Sequence, residues 1–511
     1  MVDYPADNVF AVLARSPDDR PAIGAPGRDW LSHGALRALA VRTVAMLNAA
    51  GVSRGDRVAL VQPNGPEAAA AFVTVACGAT TAPLNPGYKK DEFAFYLSDL
   101  GAKALIIQAG LDSPARNVAA DLGIPVMDLV AEAEGPAGAF RLLPGNGMNG
   151  VAANPGMTDA QDTALILHTS GTTSRPKIVP LRHVNITASA YNIGAALALG
   201  PEDVCMNIMP LFHIHGLMAA TLASLAAGAA VSCTPGFNGF RFYTWFEQVR
   251  PTWYTAVPTM HQTILELAPR HAAAIAAGRL RFIRSSSSSL PPQVMTAMES
   301  TFGVPVIEAY GMTEAAHQMA SNPLPPRPRY PGGVGVAAGP EVAIMDENGT
   351  LLPPGSLGEV VIRGRNVTAG YENNPAANAA AFTNGWFRTG DQGVLDTDGY
   401  LRLTGRLKEQ INRGGEKFSP LEVDEVLMDH PAVAQCLTFA VPHQKLGEEV
   451  GAAVVLREGH AVKDTDLREF CAERLAHFKV PRKIVFLAEI PKGPTGKLQR
   501  IGLAERLGLT A

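Results

Sequence analysis

The stretch that decides the fold lies at residues 163–177 and reads TALILHTSGTTSRPK. Its first five residues form the short apolar run of a buried strand, and the rest is a hydroxyl-rich turn that ends in Lys177. Hydroxyls and backbone N–H groups that leave the end of a strand can surround a phosphate. The P-loop pattern fails here, because Pro176 precedes the lysine and Ile178 follows it. We therefore expect a polyanion-binding loop of another kind, with an ordinary polar loop as the alternative.

Short apolar runs of the same type recur along the chain and alternate with helical patterns. They include RVALVQ at 57–62, KALIIQ at 103–108 and RFIRSS at 281–286. This alternation predicts an α/β protein, whose large N-terminal part consists of layered α/β subdomains with parallel sheets. Residues 341–364 carry strand signals around Asn-Gly and Pro-Gly turns, which predict a small β unit. A boundary near residues 404–417 precedes a compact C-terminal α+β domain.

Composition and charge narrow the class of protein. A chain of 511 residues with 47% hydrophobic residues is long enough for more than one core. Its net charge of −4 argues against nucleic acid or an anionic membrane surface as the main partner. The five cysteines form no CxxC pair, which favours reduced thiols over a disulfide or zinc framework. The N-terminus lacks a signal-peptide pattern, and the apolar stretch 217–233 is too short and too rich in small residues for a membrane span, so we expect a cytoplasmic protein.

Four further motifs follow the opening stretch in order. They are YGMTE at 310–314, GWFRTGD at 385–391, GRLKEQINRGGEK at 405–417 and PTGKLQR at 494–500. Together with the opening stretch they resemble the adenylate-forming superfamily of acyl-CoA synthetases, luciferases and nonribosomal adenylation domains, over nearly the whole chain. The resemblance implies an AMP-forming acid-CoA ligase that uses ATP, Mg²⁺ and CoA. It also implies an AMP-binding domain at 1–405, a hinge at 406–408 and a mobile C-terminal domain at 409–511. One departure is Ile178, where the family usually has glycine.

The resemblance assigns most of the motif residues to ATP. The opening loop would close over the β- and γ-phosphates, the segment 308–311 would lie against the adenine with Tyr310 stacked on it, and Asp391 would accept hydrogen bonds from the ribose hydroxyls. The implied ATP-binding residues are Thr169, Ser170, Gly171, Thr172, Thr173, Lys177, Glu308, Ala309, Tyr310, Gly311, Asp391 and Arg406. Without the motif, Tyr310 would equally suit a core aromatic and Arg406 a surface ion pair.

Three residues are implied in the chemistry itself. Glu314 would hold Mg²⁺ between phosphate oxygens, with an acid at a helix N-terminus as the alternative. Thr313 would lie near the α-phosphate, and Lys497 would contact the carboxylate and the α-phosphate during adenylation. The attacking carboxylate is itself the nucleophile, so these residues position groups and neutralise charge.

The second half-reaction requires the small domain to move, because Lys497 occupies the place where the thiol must approach. The resemblance places the hinge residue at Lys408, with a surface lysine as the alternative. Gly414 and Gly415 would line the tunnel for the pantetheine arm of CoA, where glycine permits close approach.

The acid pocket is predicted around PLFHIHGL at 210–217. Relatives that activate amino acids place an aspartate where this chain has His213, so an amino acid is disfavoured. The polar residues expected to converge on the substrate are His213, Ser287, Ser288 and His317, the last on the face of Glu314 if that segment is helical. Such donors suit a second carboxylate. The stretches 308–325 and 168–177 look most like the oxalate-CoA ligase branch, and the alternative for the histidines is that His215 is an interior residue and His213 a gate.

Other functions share these motifs. The chain could activate another short, aromatic or medium-chain acid, or it could be a catalytically degenerate nucleotide-binding module. The presence of Lys497, Glu314 and Asp391 argues against the degenerate module. A luciferase-type reaction would share every motif through adenylation, and a requirement for CoA would distinguish it.

Overall fold

The structure, a computed structural model, describes residues 3–145, 148–169, 176–492 and 498–509. Over this part of the chain the strands form three sheets. The α-helices of the described residues are Val9–Leu13, His33–Ala49, Pro66–Ala76, Lys90–Leu100, Pro114–Asp121, His183–Ala196, Ala223–Ala226, Gly239–Val249, Pro258–Leu267, Ala272–Ala276, Pro292–Phe302, Pro375–Ala381, Pro420–Met428, Asp464–Ala472 and Leu503–Arg506. A π-helix spans His215–Leu222, and 3₁₀ turns span Ala268–His271, Thr313–Ala315, Leu407–Glu409 and His477–Lys479.

The first sheet contains the opening stretch of the sequence analysis. In spatial order its strands are Phe140–Pro144, Val126–Ala131, Ala104–Gln108, Arg57–Val61, Thr80–Leu84, Thr163–Thr169 and Lys177–Arg182. The inner strands pair in parallel, and the two outermost pairs are antiparallel. The predicted strands at 57–62, 103–108 and 163–167 are therefore confirmed, with small differences at their ends.

The second sheet carries most of the candidate site. In spatial order its strands are Glu341–Met345, Leu357–Arg363, Trp386–Leu395, Tyr400–Arg406, Gly335–Ala337, His317–Ser321, Val306–Met312, Phe282–Ser286, Trp253–Ala256, Val204–Asn207, Ala230–Cys233, Pro21–Ala25 and Arg28–Ser32, with Phe382–Thr383 paired to Trp386–Leu395. The strands from Pro21–Ala25 to Val306–Met312 pair in parallel. The predicted small β unit forms the antiparallel end of this sheet.

The third sheet belongs to the C-terminal part of the chain. In spatial order its strands are Glu416–Phe418, Ile411–Arg413, Gly447–Leu456 and Val433–His443, with Lys483–Phe486 paired to Gly447–Leu456. Helices Pro420–Met428 and Asp464–Ala472 contribute to its core. The helix at Pro420 begins where the Ser419 side chain accepts the Leu421 N–H, which is the arrangement expected of a serine cap followed by proline. The α/β fold with a large N-terminal part and a small C-terminal domain is confirmed.

The parallel strands bring the motif loops together. The strands Val204–Asn207 and Phe282–Ser286 end just before predicted pocket residues, and the strand Val306–Met312 ends within the motif YGMTE. Because parallel strands end at the same edge of a sheet, these segments share one edge of the second sheet.

The five cysteines are free and buried. Burial raises the pKa of each thiol above its ordinary value. In the described parts of the chain, no helix is long and apolar enough to cross a membrane. The apolar stretch 217–233 is instead divided between the buried π-helix, a short α-helix and a strand.

Candidate active site

The described ends of the opening loop lie side by side. Thr169 and Lys177 are directly paired across the two antiparallel strands at the edge of the first sheet. The Lys177 Nζ lies 4.3 Å from the centre of the Tyr371 ring. The predicted phosphate-binding residues Ser170, Gly171, Thr172 and Thr173 fall outside the described residues, as does Lys497.

Glu314 contacts the same tyrosine as Lys177. The Tyr371 hydroxyl donates to Glu314 Oε1 at 2.9 Å, so the Tyr371 ring contacts the lysine while its hydroxyl holds the carboxylate. Burial raises the pKa of Glu314 above its ordinary value, although the Tyr371 hydroxyl and the Lys177 charge oppose that rise. The structure thus brings together two predicted residues, Lys177 and Glu314, and adds Tyr371, which the sequence analysis missed.

This arrangement fits a magnesium ion that is shared with a nucleotide. The described residues contain no group of three or more His, Cys, Asp or Glu side chains that could hold a metal by themselves. Mg²⁺ in nucleotide sites usually takes one or two protein carboxylates and completes its shell with phosphate oxygens and water. Glu314, buried beside the half-buried Thr313, is a carboxylate of this kind.

Backbone hydrogen bonds fix the turn that carries Glu314. The Asn366 side-chain amide donates to the carbonyl oxygens of Ala315 and Gln318, at 2.8 and 3.0 Å, and the Thr368 N–H donates to the Glu314 carbonyl at 2.7 Å. Gly311 is required by sterics, because a Cβ there would lie 2.0 Å from the His317 carbonyl oxygen. The predicted Gly311 therefore has a packing reason besides any contact with ATP. Neither Asn366 nor Thr368 belongs to a motif that the sequence analysis used.

Tyr310, predicted to stack on the adenine, forms one cluster with Asp391 and Arg406, which are predicted for the ribose. The Tyr310 hydroxyl donates to Asp391 Oδ2, and the Arg406 Nε donates to Asp391 Oδ1 at 3.2 Å. Burial raises the pKa of Asp391, and Arg406 opposes that rise. Both carboxylate oxygens thus already have a protein donor, which orients them. The ribose and adenine roles of these residues stay predictions.

Glu308 and Ala309 precede Tyr310 in the same strand and form hydrogen bonds to the neighbouring serine-rich segment. The Glu308 Oε1 accepts the Leu290 N–H at 2.9 Å, and the Ala309 carbonyl accepts the Ser286 hydroxyl at 2.8 Å. Burial raises the pKa of Glu308 to about 8. The side chain of Glu308 therefore holds the serine loop in place, and its predicted contact with ATP remains untested.

The predicted acid pocket converges on His215. The His215 Nδ1 lies 3.0 Å from Ser287 Oγ, and its Nε2 lies 2.6 Å from Thr255 Oγ1. The His317 ring packs edge-on against it with ring centres 4.9 Å apart, and the His213 Nδ1 accepts the His215 N–H at 3.3 Å. His213, Ser287 and His317 are thus brought together, around a buried histidine that the sequence analysis offered only as an alternative.

Two details of the pocket differ from expectation. Ser288 is exposed, and its hydroxyl donates to the Ser287 carbonyl at 2.9 Å, so the structure does not bring it to His215. The assumption that Glu314 and His317 share a helical face is wrong. The 3₁₀ turn ends at Ala315, and His317 begins a strand. Between them the backbone reverses, because Ala316 and His317 have φ values of +47° and +98°. His317 reaches the pocket through this reversal of the backbone.

Arg284 is a candidate pocket residue that the sequence analysis missed. It lies in the middle of the strand Phe282–Ser286 and is fully buried, and its Nη1 lies 3.5 Å from His215 Nε2. Charged residues are rare in the centre of a buried strand. The arginine in RFIRSS was the signal that could have identified it.

The residue predicted for the hinge lies between the second and third sheets along the chain, and the residues predicted for CoA lie in a turn of the third sheet. Gly414 and Gly415 form the turn between Ile411–Arg413 and Glu416–Phe418, with φ values of +63° and +98° that favour glycine. Lys408 is exposed in the 3₁₀ turn Leu407–Glu409. The next residue, Glu409, joins two arginines, with Oε1 3.7 Å from Arg406 Nη1 and Oε2 3.2 Å from Arg500 Nε.

Comparisons with known proteins identify the family. Residues 9–372 match the AMP-binding enzyme family, and residues 422–497 match the AMP-binding enzyme C-terminal domain. The chain belongs to the family of AMP-binding enzymes, which confirms the resemblance drawn from the motifs.

Individual relatives cover nearly the full length. The chain is 48% identical over 495 residues to the probable CoA ligase CCL9 of Humulus lupulus, covering 95% of this chain and 93% of that protein. It is 46% identical over 497 residues to the oxalate–CoA ligase of Arabidopsis thaliana, covering 96% of each. The crystal structure of ATP-bound MatB from Rhodopseudomonas palustris superposes with a TM-score of 0.88 at 29% identity, over 98% of each chain.

Proposed function

We propose that this chain is an ATP-dependent oxalate-CoA ligase of the AMP-forming type. The observation that carries the proposal is the 46% identity, over 96% of both chains, to the oxalate–CoA ligase of Arabidopsis thaliana. Five buried, unpaired cysteines favour a reducing compartment, and we propose the cytoplasm as the site of action.

The acid pocket gives independent support for a small acid with two negative groups. Ser287, His317 and His213 lie around His215, and the buried Arg284 lies directly behind it. A carboxylate that loses its hydration shell needs hydrogen-bond donors or a positive partner, and this cluster provides both. A fatty-acid tunnel would instead require an apolar lining.

The proposed reaction has two steps. One carboxylate of oxalate attacks the α-phosphorus of ATP, which forms oxalyl-adenylate and releases pyrophosphate. The CoA thiol then attacks the oxalyl carbonyl carbon, loses its proton and releases AMP. Lys177 and Lys497 would balance negative charge in the first step, and Asp391 and Arg406 would hold the ribose end of the nucleotide.

Magnesium and CoA would bind at the predicted residues. Glu314 would hold Mg²⁺, which neutralises phosphate charge when bound, and Tyr371 would keep the carboxylate oriented. We propose residues 1–405 as the nucleotide-binding domain and 409–511 as the domain that moves about Lys408. The glycine turn at 414–415 would then approach the pantetheine arm of CoA.

Carboxylate-dependent ATP–pyrophosphate exchange in the absence of CoA tests the proposal. We would compare oxalate with malonate, sulfoacetate, glycolate, acetate, a medium-chain fatty acid and 4-coumarate. Strongest exchange with oxalate, followed by oxalyl-CoA formation when CoA is added, supports the proposal. Exchange only with an apolar acid would retain the ligase mechanism and overturn the proposed substrate. No exchange with any acid would favour the degenerate nucleotide-binding module.

Replacing His317 by alanine separates the acid pocket from the nucleotide site. His317 packs against His215, so His317→Ala should raise the oxalate KM at least about tenfold, since losing a hydrogen bond to a charged group typically costs this much. The ATP KM should change less than about twofold. His443→Ala, in the C-terminal sheet, is the control variant and should alter neither constant. Equal changes in both KM values for His317→Ala would contradict a pocket role.

A further inference from the structure

Arg284 is a buried charge without a countercharge among the described residues. Its side chain is fully buried, and no carboxylate in the described parts of the chain lies within ion-pair distance of it. Burial lowers the pKa of Arg284 to about 9. Removing a guanidinium from water carries a large desolvation cost unless a partner compensates. A charge retained under these conditions favours a negative group that arrives from outside the chain.

The hydrogen bonds of Arg284 within the protein are weak. Nη1 lies 3.4 Å from Thr255 Oγ1 and Nη2 lies 3.3 Å from Gln318 Oε1, both longer than the usual distance of about 2.9 Å. The Nε has no hydrogen-bond partner among the described residues. A guanidinium that served only to clamp these strands together would be expected to have shorter bonds.

The Arg284 charge favours one direction for the hydrogen bonds around His215. Guanidinium N–H groups only donate, and Nη1 lies 3.5 Å from His215 Nε2 and 3.4 Å from Thr255 Oγ1, so lone pairs rather than hydrogens are favoured on these two atoms. In that arrangement the Thr255 hydroxyl donates to His215 Nε2, 2.6 Å away. A neutral imidazole whose Nε2 accepts carries its proton on Nδ1.

This tautomer determines what Ser287 offers to a ligand. In this tautomer the His215 Nδ1–H donates to Ser287 Oγ, 3.0 Å away, so the serine hydroxyl hydrogen is directed away from the histidine. Ser287 is half-buried at the end of its strand and has a φ of +77°, a conformation that a serine rarely adopts. The series of hydrogen bonds that runs from Arg284 through Thr255 and His215 to Ser287 thus ends in an oriented O–H donor.

We propose that Arg284 is a positioning and specificity-determining residue, which orients this chain of hydrogen bonds so that Ser287 donates to the acid. Its charge behind His215 would favour an acid with a second negative group over a monoanion. This inference rests on the proposed function, because it concerns the same pocket. Arg284 acts through Thr255 and His215 and is not itself a catalytic residue.

The test compares kinetics with oxalate and with glycolate, which lacks the second carboxylate. Arg284→Met should raise the oxalate KM at least about tenfold, change the glycolate KM much less and leave the ATP KM within about twofold. Equal loss with both acids would overturn the proposal. A wild-type enzyme that does not prefer oxalate would instead refute the proposed function, so the two failures are distinguishable.

Thr255→Val provides a second route that does not remove a buried charge. It deletes the hydroxyl of the relay and nearly keeps the side-chain shape, so it should raise the oxalate KM by about tenfold. In a Ser287→Ala background the same change should have little further effect, because the relay acts through that serine. Additive effects would overturn the proposal even if Arg284→Met fails to fold.

Arg281→Met is the matched control. Arg281 lies three residues earlier, is partly exposed and pairs with Asp203 at 2.6 Å, outside the pocket. Its loss should lower thermal stability without changing the ratio of kcat/KM for oxalate to that for glycolate. If the ratio of kcat/KM for oxalate to that for glycolate changes equally in the Arg281 and Arg284 variants, the change results from general destabilisation, and the proposal is overturned.

Discussion

Replacing Glu308 by glutamine should make the stability of the chain less sensitive to pH between about pH 5 and pH 8. The Glu308 carboxyl is buried, its Oε1 accepts the Leu290 N–H, and its Oε2 has no partner among the described residues. Burial raises the pKa of this group from 4.5 to about 8. The folded chain therefore keeps a proton that the unfolded chain releases above pH 4.5.

The sign and size of the effect follow from this difference in proton binding. Between pH 4.5 and pH 8 the folded state binds more protons at Glu308 than the unfolded state, so the free energy of unfolding falls as the pH rises. Glutamine keeps the shape and cannot ionise. Between about pH 5 and pH 8 the wild-type chain should lose roughly 3 kcal/mol relative to Glu308→Gln.

Denaturant unfolding of both proteins at several pH values measures this difference. Glu347→Gln is the matched control, because Glu347 is an exposed glutamate in a hairpin turn. Its stability should follow that of the wild type at every pH. A constant difference between wild type and Glu308→Gln across the range, or one that shrinks as the pH rises, would refute the reasoning.

Three further changes test the site. Lys497→Ala should slow oxalate-dependent pyrophosphate exchange by about 10²–10³ and should spare thioester formation from supplied oxalyl-adenylate; equal losses in both assays would contradict its role. Tyr371→Phe removes the hydrogen bond that orients Glu314, so kcat/KM for ATP should fall about tenfold at limiting magnesium and recover at saturating magnesium. A loss that is independent of the magnesium concentration would argue against a metal role. Glu409→Gln removes the charge that pairs with both Arg406 and Arg500, so adenylation should slow by about fivefold relative to the thioester step. An unchanged ratio of the two rates would show that these ion pairs do not couple the domains.

The strands and the motif order could be predicted from the sequence because both depend on local patterns. The runs at 57–62, 103–108 and 281–286 are strands within one residue of their predicted ends. Apolar β-branched runs bounded by turn residues specify buried strands almost independently of the rest of the chain. The pairing of Asp391 with Arg406 follows from strand register, which the motifs alone do not give.

Tertiary contacts account for what the sequence did not predict. Tyr371 and Asn366 lie between motifs, and only folding brings them to Glu314 and its turn. A spacing of three residues places Glu314 and His317 on one face only in a helix, whereas the left-handed Ala316 reverses the chain. Arg284 was visible in the sequence as a charge within an apolar strand, and its significance depends on the histidine that packs behind the pocket.

The burial of the five cysteines protects the chain from the activated intermediate that it forms. An acyl-adenylate is a strong acylating agent, and a thiolate at the surface could capture the oxalyl group in place of CoA. Each cysteine is buried, and burial keeps its thiol protonated at neutral pH. None of the five should therefore become self-acylated during turnover, so the activated acid is reserved for the incoming cofactor thiol.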